Sequence, residues 1–172
     1  MTSVGGVAEP VAERPEMSEY GVDTPAWRPL PWSWAAERLE RSRNLWLVTV
    51  SGTGRPHALP VWGVWDDAVP AFAWSCAPGS RKAANIAANA QVCVMADGTA
   101  ECVSVEGRAT RVTDEAMVDA WIERYLGKYG GEGVTAEFLR ASALFELLPE
   151  RAFGIIEREE EFRTRSTRWR FR

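Results

Sequence analysis

Between Arg55 and Asn89 the chain reads RPHALPVWGVWDDAVPAFAWSCAPGSRKAANIAAN, and this stretch limits the fold more than any other. Two apolar runs, His57–Trp65 and Val69–Cys76, flank the acidic turn Asp66-Asp67. Ala77-Pro78-Gly79 then reverses the chain, and Ser80-Arg81-Lys82 opens an alanine-rich helix. The pattern is strand, turn, strand, loop, helix. Ser80 suits an N-cap, because its hydroxyl can accept from a free N–H of the first turn. Arg81 and Lys82 do not suit a first turn. A helix N-terminus already carries about half a positive charge, and cations there cost about 0.3–1 kcal/mol. An anion at the same place removes that cost. Free N–H groups, a hydroxyl and two cations then converge on it, and a phosphate is the natural candidate.

The rest of the chain predicts strands more than helices. Leu45–Val50 is apolar and β-branched, and is expected as a strand buried on both faces. Ser51-Gly-Thr-Gly54 is a turn, and the strand through Trp65 is again apolar on both faces. Within it Pro60 has no N–H for a ladder, so it marks an edge or a break. Gly63 permits close approach of another group to the backbone. A break beside bare backbone suits a flat ligand; a barrel bulge explains it equally.

Gln91–Ala96 and the alternating Glu101–Arg111 are further strands. Leu144–Leu148 and Ala152–Glu157 are expected as two separate strands divided by Pro149. Ser33 is expected to cap a helix over Trp34–Arg41. Val118, Trp121, Ile122, Tyr125, Leu126 and Tyr129 form an amphipathic stripe that reads as core packing, ended by Gly130-Gly131. A short helix is expected near Thr135–Ala141. Six or seven strands in antiparallel hairpins with peripheral helices predict a mostly β fold, a closed barrel over residues 31–172. Residues 1–25 are poor in large apolar side chains and read as a mobile tail, and Ala26–Trp32 as a segment lying on the body, so that 1–30 stands apart from the domain. There is no βαβ rhythm and no G-x-G-x-x-G, which argues against a Rossmann domain.

Composition excludes several functions. The net charge of −4 gives nucleic-acid binding no electrostatic support. A single histidine, His57, rules out a His-rich metal site, and three cysteines with no C-x-x-C read as reduced thiols of a cytoplasmic protein. Neither a leader nor a membrane span is expected. His57 reads as a structural histidine inside a strand, with a proton-relay role as the minor alternative. Asp66 and Asp67 read as a turn rather than a catalytic pair. The nine tryptophans are mostly core or subunit contact. Glu157 and Glu159–Glu161 are followed by Arg163, Arg165, Arg168, Arg170 and Arg172. Such a run is usually a solvated face, but it can also reach over an anionic ligand.

With RPHALPVWGVWDD and SRKAANIAAN, the segments PWSWAAERLERSRNLWLVTV and TRWRF complete a resemblance spanning most of residues 31–172. The chain resembles the flavin-binding split β-barrel superfamily of pyridoxamine-phosphate-oxidase-like proteins, and within it the actinobacterial branch that binds a deazaflavin, coenzyme F420. The resemblance implies a homodimer with the cofactor at the subunit interface. One subunit would supply Pro60, Val61, Trp62 and Gly63 along the ring edge, and Ser75, Ser80, Arg81 and Lys82 at the phosphate, supported by Asn85. The other would supply Arg168 and Trp169. No conventional catalytic set is needed, since the cofactor carries the hydride. The older oxidases have basic residues on the strand equivalent to 56–64. This strand has none, which weakens FMN and any vitamin-B6 activity. The arginine-rich end would suit the additional carboxylates of the deazaflavin tail. The implied function is deazaflavin-dependent reduction of a small unsaturated or conjugated substrate. An FMN-dependent relative, or a non-catalytic flavin or haem carrier, is the alternative.

Overall fold

The computed structural model describes residues 9–172. Its chain forms one antiparallel sheet of nine strands among the described residues. They are β1 (Val11–Glu13), β2 (Leu45–Val50), β3 (Pro56–Val61), β4 (Gly63–Asp66), β5 (Ala71–Cys76), β6 (Gln91–Ala96), β7 (Glu101–Arg111), β8 (Ala143–Ile156) and β9 (Thr167–Arg170). The helices are α1 (Trp32–Arg41), α2 (Arg81–Ala88), α3 (Glu115–Tyr129), α4 (Ala136–Ala141) and α5 (Glu159–Arg165). The main path runs β1-β9-β8-β7-β6-β2-β3, while β5 joins β8 to β4. Since β4 continues β3 after a single residue, the path curls back on itself as a split barrel. The mostly β barrel with peripheral helices is therefore the observed fold.

Inward positions alternate as the pleat requires. Leu45 and Leu47, Val92 and Val94, Val103 and Val105, Phe145 and Leu147 meet in the barrel core with Phe72, Trp74 and Trp169. A smaller core lies where the α3 stripe packs on Val64, Ala71 and Ala73. The stripe is thus core packing, as its spacing predicts, and Asp114 caps the helix.

Several expectations change. β2 is not buried on both faces: Trp46 is 44% exposed on its outer side. β3 is mostly exposed as well, because it ends the path and no strand among the described residues pairs its far edge; Leu59 is 55% exposed. Pro60 lies on this edge strand, opposite Trp46, where its missing N–H costs least. The two expected C-terminal strands are one. β8 passes through Pro149 because a bulge shifts the register between Glu106 and Gly107 of its partner. α1 starts two residues early, at Trp32, with Pro31 rather than Ser33 in the cap position. Trp32 is drawn in because its indole lies 5.5 Å from that of Trp169 and 5.7 Å from that of Trp65.

The expected mobile tail is corrected over residues 11–25, where β1 pairs with β9 and Val22 is buried, while the buried Leu30 agrees with a segment that lies on the body. Residues 1–8 of that tail lie outside the described residues.

Candidate functional site

α2 sets the geometry of the site. The Ser80 hydroxyl accepts from the Ala83 N–H over 3.4 Å, making the expected cap. One turn on, the buried Asn85 Nδ2 donates to the buried Thr49 Oγ1 over 2.9 Å. This bond fixes the helix against β2. Asn85 thus holds α2 on β2, with one hydrogen of its amide given to Thr49.

The alanine-rich sequence leaves Arg81 and Lys82 as the only long polar side chains of the first turn. Among the described residues neither makes an ion pair. Both line a cleft of about 230 Å³ with Leu47, Thr49, His57 and Leu59. The placement of two unpaired cations at the positive end of a helix matches the chemistry of an anion site. His57 is half-buried and lines the same cleft, so it faces this cleft and not a closed core.

The strand break falls at Trp62 and is closed by the protein's own side chains. Tyr125 donates its hydroxyl proton to the Trp62 carbonyl and accepts from the Ser75 N–H over 3.2 Å. The Gly63 N–H donates to the Tyr129 hydroxyl over 3.0 Å. That hydroxyl lies 2.9 Å from the Gly63 carbonyl and 2.8 Å from that of Arg43, and its one proton serves one of them at a time. Lys128 Nζ also donates to the Gly63 carbonyl, over 3.0 Å. Two tyrosines and a lysine thus take the place of ladder bonds lost at the break.

Three residues expected along the ring edge have side chains or backbone engaged within the chain. Val61 is turned into the barrel core. Trp62 stacks on Tyr129, with centroids 4.9 Å apart and planes 3° from parallel, and the Arg43 guanidinium lies 4.9 Å from the same indole centroid. A Cβ on Gly63 would lie 2.1 Å from Phe72 Cζ, so the group that needs the bare backbone is Phe72. Pro60 stays exposed, and the half-buried Ser75 has its N–H committed to Tyr125.

The C-terminal residues are likewise engaged within the chain. Trp169 is fully buried, so its ring packs the barrel and does not line a surface. Arg168 pairs with Glu13 of β1 over 3.1 Å, and Arg170 pairs with the same carboxylate. Arg163 pairs with Glu159 over 3.0 Å. Of the five arginines of the expected reserve three are thus paired, two of them on the one carboxylate of Glu13, and Arg165 and Arg172 make no ion pair among the described residues.

Other ionisable groups have structural work. Asp67 accepts from the indoles of Trp32 and Trp65, over 2.7 and 3.2 Å. Asp66 pairs with Arg124, so the two carboxylates belong to the turn. Burial pushes the Cys93 thiol up to about 11 and also raises Cys102, which keeps both protonated at neutral pH. Burial lowers the Lys128 ammonium to about 8. Among the described residues no cluster of His, Cys, Asp and Glu could hold a metal, and no helix is long and apolar enough to cross a membrane.

Sequence reasoning missed the roles of Tyr125, Tyr129, Lys128 and Glu13. For the tyrosines a signal existed: a hydroxyl on a buried stripe usually has a partner. For Glu13, in a stretch poor in large apolar residues, none existed.

Residues 34–155 match the family model described as pyridoxamine 5'-phosphate oxidase. The chain belongs to this family. Among the curated proteins none matches. Solved structures share the oxidase-family fold. A conserved hypothetical protein of Mycobacterium tuberculosis, Rv2991, superposes with a TM-score of 0.65 at 18% identity, covering 76% of this chain and 88% of that one. A structure described as an F420 reductase gives 0.55 at 22% identity, over 67% of this chain and 93% of its own. HutZ, a haem storage protein of Vibrio cholerae, gives 0.56 at 21%, over 66% and 86%. At these identities the likeness is one of fold. Structures of differing described function thus share this barrel, and function must come from the site.

Proposed function

We propose that this protein is an oxidoreductase that uses a deazaflavin, coenzyme F420, to reduce a small unsaturated or conjugated substrate, with the cofactor phosphate held at the start of α2. One observation carries the reading: Arg81 and Lys82 lack carboxylate partners among the described residues, and line one cleft at a Ser80-capped helix N-terminus. The donor set fits a phosphate ester, with two cations, a hydroxyl and free backbone N–H groups.

When bound, the reduced cofactor supplies a hydride. The chain's own residues bind and orient. Lys82 and Arg81 would neutralise the phosphate. The Asn85–Thr49 bond keeps their helix from drifting off β2, and the tyrosine bonds across Trp62-Gly63 fix the edge on which Pro60 is exposed. Ser75, at the end of β5, lies on the loop side toward Ser80. A positioned cofactor and acceptor remove most of the entropic cost of hydride transfer. No proton donor is assigned.

The choice of deazaflavin over FMN rests on the absence of basic residues from 56–64, because Arg163, Arg168 and Arg170 are already paired. The fold neighbour described as an F420 reductase is compatible with it. A homodimer completes the proposal. The exposed apolar edge of Trp46, Leu59 and Pro60 suits a second copy, which would close the cleft beside β3.

A second reading has its own observation. His57 lines the cleft with Arg81 and Lys82, an arrangement that also suits a haem iron with its propionates on the two cations. Tryptophan-quenching titrations of the purified protein with the deazaflavin coenzyme, FMN and haem separate the readings. Preferential deazaflavin binding and hydride loss to a panel of conjugated acceptors support the enzyme. Preferred haem binding that is lost in His57→Ala supports the carrier. Tight FMN binding keeps the site and changes the cofactor.

A further inference from the structure

α2 has a second side. Opposite the Arg81–Lys82 cleft lies a groove of about 510 Å³ between α2 and the ends of β7 and β8. Six side chains form its apolar walls: Ala84, Ile86 and Ala87 on the helix, Ala109 on β7, and Ala143 and Phe145 on β8, while Ser80 and Thr110 are polar groups at its margin. Four of those six are alanines, so the space is left by short side chains standing where a packed groove would carry longer ones. Ala84 and Ala87 face outward, although a solvated helix face is ordinarily polar.

One charged side chain borders this groove, Arg111 at the end of β7. Among the described residues no carboxylate lies within ion-pair distance of it. Arg124, Arg140 and Arg151 each have an acid, whereas among the described residues Arg111, like Arg55 and Arg108, has none. The volume lies within the range of small-molecule sites, which are mainly apolar with a few placed polar groups. The groove meets the proposed phosphate site at Ser80, which lines it, but shares no cation with the cleft across the helix, whose charges are Arg81 and Lys82.

We propose that this groove is a second ligand site, for an organic anion with an extended apolar body and one carboxylate at Arg111. Apolar contact with the alanine face and Phe145 supplies most of the affinity, and the guanidinium selects the charged end. The inference does not depend on which cofactor binds at Ser80-Arg81-Lys82.

The test is a fluorescence titration of the full chain with 11-(dansylamino)undecanoic acid and, separately, its methyl ester. The acid is expected to bind saturably, one per chain, and about tenfold more tightly than the ester, as one charge-assisted bond at a partly exposed site gives. Arg111→Gln is expected to bring the acid to the affinity of the ester, and Arg111→Lys to restore part of the difference. Ala87→Phe, which fills the groove from an exposed helix position, is expected to abolish binding of both with the far-UV spectrum unchanged. Lys82→Ala is expected to leave acid binding within about twofold, which separates this site from the cofactor cleft. The proposal is overturned by non-saturable binding, by an Arg111→Gln protein that binds the acid as tightly as the parent, or by loss of binding in Lys82→Ala.

Discussion

The Gly63 amide donates to the Tyr129 hydroxyl over 3.0 Å, and through that bond a helix remote in sequence holds the broken strand in shape. Tyr125 does the same for Trp62 and Ser75. Replacing either tyrosine by phenylalanine leaves buried backbone groups without partners. Each change should destabilise the protein by about 1–3 kcal/mol. Urea unfolding followed by tryptophan fluorescence measures it. Equal stability of Tyr129→Phe and the parent would show that the hydroxyl is not needed at the break.

Gly63 should accept no side chain. Its missing Cβ would lie 2.1 Å from Phe72 and 2.8 Å from the Ala73 carbonyl, so alanine must displace a fully buried ring or the sheet itself. Gly63→Ala is expected to lose about 2 kcal/mol or more, the range for overpacked cores. In Gly63→Ala/Phe72→Leu the smaller partner should recover part of that loss, and thermal melts of the two variants provide the comparison.

Much of this architecture was legible in the sequence, and the reasons are local. The β7 limits follow from alternation, those of β2 and β6 from short apolar runs bounded by turn residues, and the α3 stripe from its 3.6-residue period. Ser80 was readable as a cap because capping depends on one side chain and three residues of backbone. What was not legible depends on distant partners. Pro149 looks like a strand end unless the bulge opposite Glu106-Gly107 is known. Trp169 and Arg168 look available until β1 supplies Glu13 and the barrel encloses the indole. Pro60 and Gly63 suggested a flat ligand, and the resemblance added Trp62, because the groups that cover Trp62 and Gly63, namely Arg43, Tyr129 and Phe72, lie 9 to 67 positions away.

Asn85 offers a test of how the helix is held. Asn85→Ala removes a buried bond to Thr49 and leaves that hydroxyl unpaired. A stability loss of about 1–3 kcal/mol is expected, together with weaker cofactor binding, since α2 carries Arg81 and Lys82. Hydrogen exchange should show faster opening confined to α2 and its contacts. Global acceleration with unchanged binding would argue that the bond serves the whole fold and not the site.

Lys128 gives a pH signature. Burial lowers its folded pKa from 10.5 to about 8, so between those values the unfolded chain binds more protons than the folded one. Stability from this group therefore rises with pH through that window. Cys93 works in the opposite direction above pH 9, because its folded pKa is raised from 9.0 to about 11. The clean comparison is between pH 7.5 and 9, taking the parent relative to Lys128→Met. The parent should gain stability relative to the variant as pH rises. A constant difference would mean that the ammonium is not desolvated against the Gly63 carbonyl.

A phosphate held by Arg81 and Lys82 is the centre of the proposed function. It is tested most directly by the affinity ratio between the deazaflavin coenzyme and its ring-bearing fragment without the phosphate, in the parent and in Lys82→Ala. One lost charge-assisted contact of about 1.5–3 kcal/mol corresponds to roughly 10- to 100-fold. Lys82→Ala is predicted to shrink the ratio by that amount while leaving fragment binding almost unchanged. An unchanged ratio, or equal weakening of both ligands, would contradict a phosphate at Lys82.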